Sequence, residues 1–158
     1  MLKQFILLVI FLSTVTLSYS QKKIKESAVP EAVKKAFKKK YPRATEPIWR
    51  KPAENEYDVE YELGPNVYYT KFSADGKWME TSVDVSIAVL PKPVKDQWKK
   101  NEHKDWEVLY VVKLETADTT TKPKVYYQIA VKKDKEMKSV LIAADGKFSS
   151  TEVIEDDK

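Results

Sequence analysis

Ser73-Ala-Asp-Gly-Lys-Trp78 and Ala143-Ala-Asp-Gly-Lys-Phe148 are near copies of one hexamer, seventy residues apart. The echo extends outward at the same offset. Tyr57, Val59 and Tyr61 align with Tyr127, Ile129 and Val131, Phe72 with Ile142, and Thr81 with Thr151. Further upstream the match continues at an offset of sixty-one, where Val29-Pro30, Val33 and Phe37 meet Leu90-Pro91, Val94 and Trp98. The nine-residue difference implies a longer early hairpin in the second copy, near Thr116 to Lys122. Two colinear blocks of matching apolar spacing are the mark of an internal duplication.

Each copy opens with a helix. Pro30 and Pro91 fall where a first helical turn tolerates proline, because that turn has no intrahelical N–H bond to lose. Val29, Val33, Ala36, Phe37 and Tyr41 recur at three and four, while Lys34, Lys35, Lys38 and Lys39 take the other side. Leu90, Val94 and Trp98 repeat the stripe, and Tyr41-Pro42 and Asn101 stop the two helices. Strands follow. Glu56 to Leu63 alternates strictly, Gly64-Pro-Asn66 turns, and Val67 to Ser73 returns. Asp75-Gly76 reads as a two-residue hairpin before Trp78 to Val85, because glycine accepts the positive φ of such turns. The second copy offers Trp106 to Glu115, Val125 to Lys132, Met137 to Ala144 and Phe148 to Ile154, and a shorter strand near Ile48 to Lys51 completes the first. The expected fold is α+β: two tandem α-β-β-β-β repeats, residues 29–85 and 86–158, forming an antiparallel sheet with helices packed on one face.

The Val/Leu-Pro-x-x-Val helix openings and the Ala-Asp-Gly-Lys hairpins resemble those of the exported PepSY-like domains, also called β-lactamase-inhibitor-protein-like. The resemblance covers roughly residues 29 to 154 and rests on structural motifs, which specify a fold better than a function. It implies an exported, non-catalytic module that binds a protein or a ligand, and it supplies no active-site residues. Inhibition of a β-lactamase does not follow from the name. Such inhibitors are disulfide-bonded, and this chain has no Cys.

The first twenty residues read as a secretory signal, with Lys3 at the start, an apolar run from Phe5 to Leu12, and Ser18 and Ser20 at the −3 and −1 positions of a cut before Gln21. Residues 21–28 are then a linker. No Cys follows the cut, which excludes lipidation there, and no later segment suits a membrane span. Loss of Lys3 takes 28 basic residues to 27 against 24 acidic ones, a net charge of +3. So mild an excess is no argument for nucleic acid, and no nucleic-acid partner is expected. An exported domain that lacks disulfides must be held by packing, which suits a periplasmic or secreted bacterial protein.

Candidate chemistry is thin. His103 has no second His or Cys to complete a site and reads as a solvated loop residue. Glu56, Asp58, Glu60 and Glu62 share one strand face but are spread along a line about 6.6 Å apart, which is poor for chelation. Asp75 and Asp145 read as turn residues. No catalytic residue, metal or cofactor is expected. The remaining candidate is a surface. If Trp106, Val108, Tyr110 and Val112 face the helix, then Leu109, Val111, Tyr126 and Leu141 gather on the opposite side as an apolar patch, with Tyr69 joining it to the acidic strand. The expected partner is an envelope or extracellular protein docking there. The alternative is a small ligand or envelope polymer held by the aromatics.

Overall fold

Residues 22–117 and 124–154 are described by a computed structural model. The expected signal segment and most of the expected longer hairpin loop lie outside the described residues. Among the described residues the sheet is antiparallel, with nine strands in the order of the chain: β1 (Lys23–Ile24), β2 (Thr45–Ala53), β3 (Glu56–Leu63), β4 (Asn66–Ser73), β5 (Trp78–Asp84), β6 (Glu107–Thr116), β7 (Lys124–Lys133), β8 (Glu136–Ala143) and β9 (Phe148–Val153). The meander is interrupted by α1 (Glu31–Lys40) before β2 and by α2 (Lys92–Trp98) before β6. The fold is α+β.

A short 3-10 turn precedes each helix, at Glu26–Ala28 and Ile87–Val89. Pro30 and Pro91 stand immediately before the first helical residue of each helix rather than within it. Lys38, Lys39 and Lys40 occupy the last turn of α1, where cations suit the helix dipole. Asn101 closes α2: its N–H donates to the Trp98 carbonyl at 2.9 Å, and its Oδ1 accepts from the His103 N–H at 2.9 Å.

Each helix buries one stripe on the sheet. Val29, Val33 and Phe37 pack with Trp49, Tyr57, Val59, Tyr61 and Phe72. Phe37 stands edge-on to Trp49, Tyr61 and Phe72, at ring separations of 5.4, 5.0 and 6.5 Å. Leu90, Val94 and Trp98 pack with Val111, Tyr127, Ile129, Val131, Val140 and Ile142. The strand register runs Tyr61, Tyr68, Val83, Lys113, Tyr127, Ile142, so both clusters lie on one face. Between them sits a polar seam. Thr81 Oγ1 meets Tyr41 Oη at 2.5 Å, Thr70 Oγ1 at 2.9 Å and the Trp78 indole N–H at 2.8 Å.

Three expectations need correction. The Asp-Gly hairpins have three-residue loops, not two. Gly76 N–H donates to Ser73 and Ser73 N–H to the Lys77 carbonyl, with Gly76 at φ +84; Ala143, Gly146 and Lys147 repeat this. This is the type I turn closed by a glycine bulge. The strand placed at Ile48 to Lys51 runs from Thr45 to Ala53, accommodating Pro47 and Pro52 through two register shifts near the sheet edge. Within the expected linker, Lys23–Ile24 forms β1 against Arg50 and Trp49, and Ile24 packs on the first core.

Candidate interaction face

The face opposite the helices is set by the same ladders. One row of side chains across it reads Glu60, Tyr69, Ser82, Leu114, Tyr126, Ala143. A second reads Asp84, Val112, Gln128, Leu141, Ser150, and a third Tyr110, Ala130, Ser139, Glu152. Neighbouring strands lie about 4.8 Å apart, so Tyr69 and Tyr126 stand about 14 Å apart with Ser82 and Leu114 between them.

Of the five residues expected on this patch, three lie on this face and two do not line up as expected. Tyr69, Tyr126 and Leu141 are here. Tyr69 and Tyr126 are half-buried and Leu141 is buried. Val111 is not: it packs in the helix-side core, paired with Ile129. The cause is a bulge. Val108 pairs with Val131 and Tyr110 with Ala130, leaving Leu109 as an extra residue that resets the alternation. Val108 and Val111 therefore both face α2, while Tyr110, Val112 and Leu114 face away. Leu109 sits on the bulge itself, 39% exposed. The alternation of β6 misassigned Tyr110 and Val112. The missing signal was the extra residue, which strand periodicity does not register.

The buried Val112, Leu114, Ala130 and Leu141 form an apolar floor on this face, flanked by half-buried Tyr110 and Tyr126. Gln128 crosses it, donating from Nε2 to Ser139 Oγ at 2.8 Å. Burial pushes the Tyr110 phenol up from its usual range.

On β3 to β5 the same face is ionic. Arg50 binds Glu60 at 2.8 Å, and Lys71 lies 3.6 Å from Glu56 and 3.9 Å from Glu80. Asp58 pairs across strands with Arg50 and Lys71, yet those cations turn to other carboxylates. Its buried Oδ1 has no hydrogen-bond partner among the described residues. Burial, partly offset by Lys71, pushes its carboxyl up to about 6. Asp58 is thus not the well-solvated strand residue that alternation alone suggests. Glu62 and Asp84 are exposed.

His103 is also corrected. It is 5% exposed, not solvated, with its ring 4.6 Å from that of Trp106. Its buried Nε2 lies 3.7 Å from the exposed Glu102 carboxylate. Asp75 and Asp145 do serve the turns: Asp75 accepts from Ser73 Oγ, and each pairs with the lysine two residues on. Among the described residues no group of three or more His, Asp or Glu is placed to hold a metal.

The chain belongs to the PepSY-like family, described as "Putative beta-lactamase-inhibitor-like, PepSY-like", whose sequence profile matches residues 15–71 and 55–148. Among solved structures it is similar to a BLIP-like protein from Bacteroides fragilis, at 22% identity and TM-score 0.72, covering 82% of this chain and 91% of that one. It is similar to a DUF2874 family protein from Bacteroides ovatus, at 20% identity and TM-score 0.68, over 78% and 86% of the two chains. A third, from Bacteroides eggerthii and described as among "putative periplasmic proteins", matches at 20% identity and TM-score 0.68, over 80% and 89%. These likenesses establish the fold. A comparison with curated proteins finds no match.

Proposed function

We propose that this is an exported, non-catalytic binding module that contacts a protein partner through the helix-free face of its sheet. The observation that carries the reading is the apolar floor of Val112, Leu114, Ala130 and Leu141 with Tyr110 and Tyr126 beside it, opposite the face that α2 covers. A strand face open to solvent favours polar side chains, and β3 carries Glu56, Asp58, Glu60 and Glu62 on the same side. Tyrosines that flank a dry apolar centre suit protein recognition, since they supply large contact area at little conformational cost. The partner should bring an apolar or aromatic surface to β6–β8. It should bring basic side chains toward Glu62 and Asp84, with Tyr69 between the two regions.

The chain is two copies of one α-β-β-β-β unit, over residues 29–85 and 86–158. The hairpins at Gly76 and Gly146 and the helix stripes at Phe37 and Trp98 support this reading. Residues 1–20 are removed on export, and the protein works in the periplasm or outside the cell. The periplasmic description of the Bacteroides eggerthii relative agrees with that placement. Among the described residues no helix is long and apolar enough to cross a membrane. The test is affinity capture of the exported protein from envelope extract of its own source, with mass spectrometry of what is retained. A single protein retained in stoichiometric amount supports the reading. Retention of glycan or small molecule alone favours the ligand-binding alternative.

A further inference from the structure

The two edges of the sheet are protected very differently. Beside the two-residue β1, the outer edge of β2 carries Pro47 and Pro52, a left-handed Glu46 at φ +51, and two register shifts. Prolines, bulges and short strands are the devices by which sheets avoid pairing with other chains. The opposite edge, β9, has neither proline nor lysine across Phe148–Val153. It pairs with β8 in unbroken register from Ser150 to Val153, and its one irregularity, at Ser149, lies toward the hairpin. Ile154 N–H donates to the Met137 carbonyl at 2.9 Å. By the alternation of an antiparallel ladder, Thr151 and Val153 therefore turn their N–H and C=O groups outward, away from β8. Both are exposed, Val153 at 73%, and Phe148 is 49% exposed on the same side of the sheet.

We infer that β9 is a self-pairing edge, and that its occupant is β9 of a second copy of this chain. Two antiparallel copies related by a two-fold axis perpendicular to the sheet keep their faces aligned, so each residue meets one on its own face. With the axis at Thr151, Thr151 faces Thr151, Val153 faces Ser149 and lies beside Phe148, and Glu152 faces Ser150. Thr–Thr pairs are favourable across strands, and no like charges meet. Centring the pair on Glu152 would set two carboxylates face to face, which selects the Thr151 register. The two sheets then join into one, and the face proposed for the partner stays open on both copies.

The interface is small, so the dimer is weak and depends on concentration. Sedimentation of the purified protein from about 10 µM to about 1 mM should show a monomer–dimer equilibrium within that range. Thr151→Pro removes an outward N–H and no bond to β8, and should leave a folded monomer; Val153→Lys should do the same without touching the backbone. Because the chain has no cysteine, Thr151→Cys should give a disulfide-linked dimer under mild oxidant, while Thr45→Cys on the opposite edge should not. A protein that stays monomeric across the range overturns the inference, as does dimerisation unchanged in folded Val153→Lys. Should Thr151→Pro fail to fold, Val153→Lys and the cysteine pair decide.

Discussion

Gly76, at the tip of the β4–β5 hairpin, lies against the carbonyl oxygen of Ala32 in the first turn of α1: a Cβ built on it would stand 2.7 Å from that oxygen. Gly146 meets the Pro93 carbonyl oxygen of α2 in the same way, at 2.8 Å. The repeated Ala-Asp-Gly-Lys hairpin is thus more than a turn. Its glycine accepts a positive φ and lets the helix backbone seat directly on the hairpin. Gly64 also has positive φ, but a Cβ there would meet nothing. Gly64→Ala should therefore cost only the left-handed strain, about 1–2 kcal/mol. Gly76→Ala and Gly146→Ala should each cost clearly more, because helix or hairpin must also move. Urea unfolding of the three variants checks the order. Equal losses at all three would show that the close approach contributes nothing.

Phe37 and Trp98 should be equivalent anchors of the two cores, since each is buried at the same place on its helix stripe. Truncation of either to Ala should cost about 3–5 kcal/mol. Chemical denaturation measures this; a loss below about 1 kcal/mol at either site would mean its helix is not anchored there.

Much of this architecture was legible in the chain. Strands β3 to β9 read correctly to within a residue or two because apolar alternation and Asp-Gly punctuation agree there. Other features were not, the bulge in β6, the extent of β2 and the burial of His103 among them. The bulge at Leu109 is set by pairing against β7, so it leaves no mark on local alternation, and it moved Val111 into the core and Val112 out of it. The ends of β2 were hidden by Pro47 and Pro52, which usually argue against a strand and are tolerated near this edge. The burial of His103 depends on Trp106 folding over it, a contact that charge-rich neighbours disguised.

Thr81 should be a hub of the seam between the helices. It is buried and meets Tyr41, Thr70 and the Trp78 indole. Thr81→Val keeps the shape and strands those partners, so it should destabilise by about 1–3 kcal/mol. Thr81→Ser keeps the hydroxyl and should lose less. Thermal unfolding of the pair distinguishes them, and a loss for Thr81→Val no greater than that for Thr81→Ser would show that the hydroxyl contributes no more than the methyl group.

Asp58 predicts a pH dependence whose sign is fixed. Its carboxyl lies at about 6 in the folded chain against 3.8 when unfolded. Between those values the folded state holds more protons, so this group favours folding at low pH and opposes it as pH rises through 6. Asp58→Asn should raise stability at pH 8 by on the order of 1 kcal/mol, partial exposure having been allowed for. The gain should shrink toward pH 4. Melting temperatures of both proteins at pH 8 and pH 4.5 test it; a variant less stable at pH 8 would show that Arg50 and Lys71 outweigh the burial.

The helix-free face of β6–β8 is proposed to hold the partner. The direct measurement is the affinity of the captured partner for Tyr126→Asp, set beside Val89→Asp. Tyr126 flanks the apolar floor, whereas Val89 is 65% exposed in the turn that leads into α2. Both proteins should fold as the unsubstituted chain does, by circular dichroism and melting temperature. A charge placed on a residue that an interface buries should weaken binding about a hundredfold or more. That loss is expected for Tyr126→Asp and none for Val89→Asp. Undiminished binding by folded Tyr126→Asp, or a loss only in Val89→Asp, would contradict it.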